Sequence, residues 1–414
     1  VGLKARIFKD RFVFDESYRP RRLLVRDREA SLLVSRYMAK LDEMAGFTDV
    51  SLIYGSIGRV GIGKTTVATY VGRSLEELAG RRGVNFKHVY INTFGAPSLH
   101  QILSVIVDQL GMNISVRGSS AIEVLKAVVD HAYLRDMFIL LVLDEFQSLL
   151  LSPKISEDDL YLLMRVYEEI PSRDGVSRIS YLLVASDFRV TAYMRERIPQ
   201  VESQIGFRMH LKPYTSDELK VILRQRAEEG LVEGVWDDYH LELISEYFGE
   251  DRGGDGSARK AILTLRMAAE LAEAEGSSII REDHVRRALS ENALAYIPLD
   301  ELRALSTHEL LVMLALTSLV MEKGGWATTG ELMDRYEEIA RYYGEQPRGH
   351  TQFHTYIKNL TTMGLMDVRP SGKGVRGRTS IIRLSPEIPA DRMREVLESI
   401  IMDRIKQRPQ GNGA

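Results

Sequence analysis

Gly58-Arg59-Val60-Gly61-Ile62-Gly63-Lys64-Thr65 has the spacing G-x-x-x-x-G-K-[ST], and an acidic pair, Asp144-Glu145, ends the apolar run Phe138 to Leu143. Together they describe phosphate chemistry. Glycines let main-chain N–H groups turn inward around an anion, and a helix N-terminus adds its positive end. Lys64 would reach the β- and γ-phosphates, and the Thr65 hydroxyl would ligate Mg²⁺. Gly58, Arg59, Gly61, Ile62, Gly63 and Thr66 complete the expected cradle. Asp144 would hold the metal with Thr65, directly or through water, and Glu145 is placed to orient and deprotonate an attacking water. A glycine-rich turn alone is common between strand and helix. With the Lys-Thr pair, a strand before it and an acidic strand end elsewhere, the expectation is binding of ATP or ADP with Mg²⁺, and hydrolysis.

These residues need a scaffold. Ser51 to Gly55 reads as a short buried strand and Thr66 to Val71 as the start of an amphipathic helix. Val89 to Asn92, Phe138 to Leu143, Tyr181 to Ala185 and Met209 to Leu211 are further strand candidates, separated by helical stretches. The alternation predicts an α/β fold, a doubly wound parallel sheet whose ligands sit at the carboxyl ends of its strands. Thr215 and Glu218 form a capping box, and from there to about Ala295 the periods are helical. A break around Tyr296-Ile297-Pro298 precedes a third region. The expected domains are a nucleotide-binding core over 1–213, an all-α lid over 214–297 and a further domain over 302–414.

In that last region three helical stretches, the third from about Thr351 to Met363, precede two short apolar segments flanking a Gly- and Arg-rich turn. This is the pattern of a winged helix. Phe353, Ile357 and Leu360 show the spacing of a core face, leaving Thr351, Gln352, Thr355 and Lys358 to read a major groove. From Val368 to Leu384 there are five basic residues and no acidic one. Arg369, Lys373, Arg376 and Arg378 would lie along phosphates, with the hairpin tip at Gly372 to Gly377. Protein contact by the same domain stays open as an alternative.

The 414 residues exceed one ordinary core, and 44% hydrophobic residues is a globular fraction. The net charge of −3 excludes a wholly basic nucleic-acid binder, though a local basic patch still meets a phosphate backbone. Zero cysteines exclude disulfides and thiolate metal sites. No stretch is long enough to span a membrane and no secretory signal opens the chain, so no membrane partner and a cytoplasmic, nucleoid-associated location are expected.

Smaller constellations remain. Arg259, inside Gly256-Ser257-Ala258-Arg259-Lys260-Ala261, could face the γ-phosphate from a lid or stand on a solvated helix face; periodicity leaves both open. Ser186, ending the strand after the Asp144 strand, is positioned to touch the attacking water. His350 and His354 have a metal-like spacing, but no third ligand accompanies them, so zinc is not expected.

Taken together, the two nucleotide motifs, the lid arginine and the winged helix resemble the archaeal origin-recognition family of AAA+ initiators over almost the whole chain. The resemblance includes Ile7-Phe8-Lys9-Asp10, Tyr18-Arg19-Pro20, Leu23, Arg26 and Glu29, similar to the family's base-binding lead-in. It also includes Lys212-Pro213-Tyr214 at the lid junction and Gly256 to Ala261 at the second sensor. It implies that Tyr18, Pro20, Leu23 and Tyr214 hold the nucleotide base and that Arg259 is the sensor arginine. It further implies a replication initiator on origin duplex DNA, partnered by a replicative helicase and paralogous initiator subunits, and a DNA-touching insertion after Ile91-Asn92-Thr93. Two departures stand out. Ser186 occupies the place of the family's first-sensor Asn, and Pro199-Gln200-Val201 replaces a Pro-Arg-Val trio, with Arg195 and Arg197 nearby. Slow hydrolysis, with nucleotide acting as a conformational ligand, is the expectation. The rival reading is a nucleotide-switched signalling or transcription-control ATPase that uses its winged helix as a protein adaptor.

Overall fold

The computed structural model describes residues 6–42, 46–94, 97–152, 154–295, 302–303, 305–323, 325–363, 365–370, 380–385 and 390–406. Its contacts divide the chain into two compact units, Val1–Ile280 and Arg281–Ala414.

In the first unit, five strands among the described residues form a parallel sheet: β1 (Val50–Gly55), β2 (Asn85–Asn92), β3 (Met137–Asp144), β4 (Ile179–Asp187) and β5 (Ile205–His210), in the order β2-β3-β4-β1-β5. Strand β3 shows why the run is apolar without a break. Ile139, Leu141 and Leu143 enter one core layer, while Leu140 and Val142 enter the other. One layer is completed by α1 (Asp27–Leu41) and α2 (Lys64–Arg81), through Leu33, Tyr37, Val67, Val71 and Leu75. The opposite layer takes α3 (Leu99–Gln109) and α4 (Ala121–Leu134), each opened by a capping box, Ser98 with Gln101 and Ser120 with Glu123. Because β4 lies between β1 and β3, the carboxyl ends carrying Gly55 and Asp144 flank one strand at the same edge of the sheet.

Strand β5 begins earlier than its apolar residues suggest. Gly206 interrupts the pattern there because the Arg36 guanidinium, paired with Asp49, fills the space a Cβ would need.

Three helices follow in the same unit: α5 (Ser216–Gly230), α6 (Asp238–Phe248) and α7 (Ala258–Ala274). The Thr215 box is present, with Thr215 N–H on Glu218 at 2.9 Å and Glu218 N–H on the Thr215 hydroxyl at 3.3 Å. The N-terminal segment is fastened to this lid. Phe8 bridges Leu231, and the N–H groups of Lys9 and Asp10 both donate to the Gly230 carbonyl. The division between units falls at 280/281, inside the span that the sequence assigns to the lid; α8 (Glu282–Ala295) belongs to the second unit. The break expected at 296–298 lies outside the described residues.

That second unit holds α9 (Thr307–Lys323), β6 (Ala327–Thr328), α10 (Thr329–Tyr342), α11 (His350–Thr362), β7 (Met366–Pro370), β8 (Ser380–Leu384) and α12 (Ala390–Lys406). Its antiparallel sheet runs β6-β8-β7 among the described residues. Helix α9 is buried almost all round because α10, α11 and α12 each pack on it. Three helices and a hairpin on one core constitute a winged helix.

Candidate nucleotide site and nucleic-acid face

The phosphate loop is built by backbone geometry. Gly58, Gly61 and Gly63 have φ of 69°, 70° and 89°, a region that side-chain-bearing residues rarely adopt. Clearance demands glycine as well. A Cβ at Gly61 would strike Ser257 and Arg259 of the lid, and one at Gly63 would strike the Tyr214 hydroxyl. Ile62 does the opposite, burying its side chain in the core beneath the loop and pinning it. Gly63 caps α2 without a side chain, so the first N–H groups of that helix are open to an anion.

The Thr65 hydroxyl donates to Asp144 Oδ2 at 2.6 Å, and the Tyr90 hydroxyl donates to the same oxygen at 2.7 Å. Asp144 Oδ1 accepts the Glu145 N–H at 2.9 Å. Thr65 and Asp144 thus offer adjacent hard oxygen donors, a set that suits Mg²⁺. Burial pushes the Lys64 ammonium below its ordinary value, with Glu145 and Asp144 acting against that shift. Burial likewise pushes the Tyr90 phenol up, and the Asp144 charge adds to it.

Glu145 itself has φ of 57°, the left-handed region, which costs a non-glycine residue about 1–3 kcal/mol. Neighbouring strands hold the turn. The Thr93 hydroxyl donates to the carbonyls of Asp144 and Glu145 at 2.7 and 2.9 Å, and Phe146 N–H donates to the Val184 carbonyl at 2.9 Å.

A cleft of about 410 Å³ opens beside this machinery. Val60 to Thr66 and Glu145 form its phosphate end. Phe14, Tyr18, Pro20, Leu23, Leu24, Ile222, Ile262 and Leu263 supply an apolar end fit for a flat base, and Tyr214, Arg226 and Arg259 also line it. Gly58 and Arg59 shape the turn but do not form its wall. Tyr18 donates to Glu229 at 2.5 Å, and the buried Arg226 guanidinium stacks 4.4 Å from the Tyr18 ring centroid. Tyr214 is buried under Arg26, 4.3 Å above its ring, and Arg26 also bonds Glu29 at 3.0 Å and the Lys212 carbonyl. The lead-in, the end of the core and the lid therefore meet at Tyr214. Arg259 is half exposed on the cleft wall, 3.6 Å from Glu16.

The Ser186 hydroxyl turns to Asp187 at 3.4 Å, and Asp187 is held by Arg189 at 2.8 and 2.7 Å. Burial alone would raise the Asp187 carboxyl, but these bonds bring it below its usual value. Arg197 is consumed structurally, donating to the carbonyls of Leu150, Ser152 and Ile155 at 2.8, 3.2 and 2.8 Å. Gln200 accepts from Tyr161, while Arg195 stays exposed beside Glu202. Tyr90, Thr93, Arg226 and Gln147 carry no sequence signal for these roles. A tyrosine in a strand reads as core, and a lone glutamine carries no pattern.

In the winged helix, Phe353, Ile357 and Leu360 are buried and Thr351, Gln352, Thr355 and Lys358 are exposed. Tyr356 stacks on His308 with centroids 6.0 Å apart, and Asn359 donates to Glu309 at 3.1 Å, so the helix is seated from below while its polar face is exposed. His350 and His354 are both exposed. Arg369 lies on β7, whereas Lys373, Arg376 and Arg378 lie outside the described residues.

Comparison with known proteins agrees with this architecture along the chain. Family models match at residues 53–186 (AAA domain), 220–290 (Cdc6 AAA+ ATPase-type lid domain) and 300–393 (CDC6, C terminal winged helix domain). ORC1-type DNA replication protein 2 of Aeropyrum pernix is 53% identical over 404 residues, 97% of this chain and 98% of its own length. The chain belongs to the ORC1-type DNA replication proteins. The Saccharolobus solfataricus relative of the same name is 36% identical over 85% of the chain and 84% of its own length. Among solved structures, the Aeropyrum pernix ORC2 protein in its ADPNP-ADP complexes matches with a TM-score of 0.75 and 51% identity, covering 97% of this chain and all of that one. The Aeropyrum pernix ORC1 protein in complex with DNA matches at 0.61 and 27% identity, covering 97% and 100%. AAA+ ATPase membership and an origin-recognition fold follow for this ORC1-type chain. Among the described residues no helix is long and apolar enough to cross a membrane.

Proposed function

We propose that this ORC1-type protein is a DNA-replication initiator that binds origin duplex DNA through its winged helix. ATP or ADP with Mg²⁺ occupies the cleft, and slow hydrolysis serves as a conformational switch for loading a replicative helicase, alongside paralogous initiator subunits. The observation that carries this reading is the pairing, on one chain, of a Thr65–Asp144 bond at the mouth of a phosphate loop with a winged helix that leaves Thr351, Gln352, Thr355 and Lys358 exposed. Relatives described with ADPNP, ADP and DNA support both halves.

In this mechanism Lys64 and the α2 N-terminus bind the phosphates, and Thr65 and Asp144 would hold the metal, which would offset charge on the phosphates. Glu145 accepts the proton of the attacking water, and Arg259 meets the γ-phosphate from the lid. The loss of a Pro-Arg-Val arginine to Gln200, the use of Arg197 as a loop tie and the diversion of Ser186 to Asp187 all support slow turnover. The proposed modules are 1–213, 214–297 and 302–414. Footprinting by the full chain on chromosomal origins and on promoters, with ATP or ADP, tests the reading. Protection confined to origins is expected; absence of DNA protection would favour the adaptor role, at a cytoplasmic site away from the nucleoid.

A further inference from the structure

Gln147 lies two residues beyond Glu145, on the first turn of the short helix Gln147–Leu150, and belongs to neither nucleotide motif. Its side chain bridges two elements. Its Nε2 donates to Glu145 Oε2, and its Oε1 accepts the backbone N–H of Ser186 at 3.1 Å. The amide orientation is fixed by chemistry, since a carboxylate accepts only and a backbone N–H donates only. Ser186 itself sends its hydroxyl to Asp187 and makes no side-chain bond to Glu145 among the described residues.

We infer that Gln147 is the residue that positions the water-activating carboxylate, tying it to β4 through the Ser186 N–H. The inference rests on the proposed role of Glu145 as base. The geometry supports a division of labour on that carboxylate. Oε2 is anchored by the amide, leaving Oε1 to receive a proton, and the carboxylate lines the cleft at its phosphate end. The left-handed backbone at Glu145 narrows where the side chain can go, and Gln147 fixes the remainder.

The test uses the full-length protein, with single-turnover ATP hydrolysis in Mg²⁺, ADP and ATP binding by calorimetry, and thermal melting. Gln147→Ala removes both contacts. Gln147→Glu retains the shape and the acceptor for Ser186 N–H but sets a second carboxylate against Glu145 in place of the donor, so it breaks the anchor while keeping the tie to β4. Both variants are expected to lower the hydrolysis rate about tenfold to a hundredfold, the scale of a misplaced catalytic group, with nucleotide affinity within about twofold of wild type. A wild-type rate in Gln147→Glu, or affinity falling in step with rate, overturns the inference. Glu145→Gln separates its failure from that of the base assignment. An inert Glu145→Gln beside fully active Gln147 variants removes the positioning role alone, whereas an active Glu145→Gln removes both.

Discussion

At the phosphate end of the cleft, the groups that would meet a ligand include main-chain N–H groups, aimed by three left-handed glycines and by strand ends at one edge of a parallel sheet. On α11 they are side chains instead, projecting from the exposed face of a helix. The first arrangement depends on conformation, so few substitutions preserve it. The second depends on the identity of exposed residues, so its specificity can change while the fold stays the same.

Lys64 and Glu145 give the sharpest contrast within the cleft. Glu145→Gln should lower turnover by about 10²–10⁴ while ADP affinity is retained, because a general base acts on water and not on bound phosphate. Lys64→Ala should weaken both ATP and ADP by at least about a hundredfold, the cost of stripping a charge from a buried site. Calorimetry and single-turnover assays separate the two. If Glu145→Gln also lost ADP, the roles assigned to the two residues would merge.

On the DNA side, neutralising Lys373, Arg376 and Arg378 together should weaken every duplex and flatten the log–log salt slope by up to about three units. An unchanged slope would take the wing off the phosphates. Arg259→Ala should reduce the difference between ATP and ADP affinity by about 1–3 kcal/mol and leave ADP nearly as it was, the coupling expected of a γ-phosphate contact. Equal loss for both nucleotides would make it a structural residue. Gln352→Ala should reorder DNA sites by about 1–3 kcal/mol per lost base contact without altering salt dependence. A uniform loss over all sites would return α11 to backbone contact and blur its distinction from the wing.

The smallest effect lies in the scaffold beneath that face. Glu331 is drawn down to about 2 by its Lys323 bond and by the Thr328 N–H and hydroxyl of the α10 capping box. A carboxyl depressed in the folded state stabilises above its unfolded value, and that contribution is lost as pH falls from about 5 toward about 2. Glu331 is partly exposed, so screening trims the ion pair, and the cap is worth about 1 kcal/mol. Melting of the full chain between pH 7 and 3 should be less steep in Glu331→Gln. An identical acid profile would show that the box does not report on α10.

Much of this was legible because the sequence patterns and the physical constraints coincide. A phosphate loop needs glycine at fixed places, a doubly covered strand needs an unbroken apolar run, and a helix seated on a core needs Phe353, Ile357 and Leu360 at three-to-four spacing. What escaped depends on tertiary neighbours. Tyr90 reaches Asp144 only because β2 pairs with β3 in register, Asn92 opposite Asp144. Arg197 lies near the Pro199-Gln200-Val201 trio in sequence, but its guanidinium is taken up by the carbonyls of Leu150, Ser152 and Ile155. Gly206 hid the start of β5 because its reason is the side chain of Arg36, far away in sequence.

The lid and the loop share more than a cavity. Ala258 N–H donates to the Gly61 carbonyl at 3.0 Å, and the Gly61 Cα faces Ser257 and Arg259 with no room between. The first turn of α7 is thus joined directly to the segment that would cradle a phosphate. Seventeen residues of α7 make a rod about 25 Å long, so a tilt of about 5° at its joined end sweeps the far end through about 2 Å. A tilt pivoting at the loop would therefore be read at the tip of α7, where Glu273 is paired with Arg11 of the N-terminal segment.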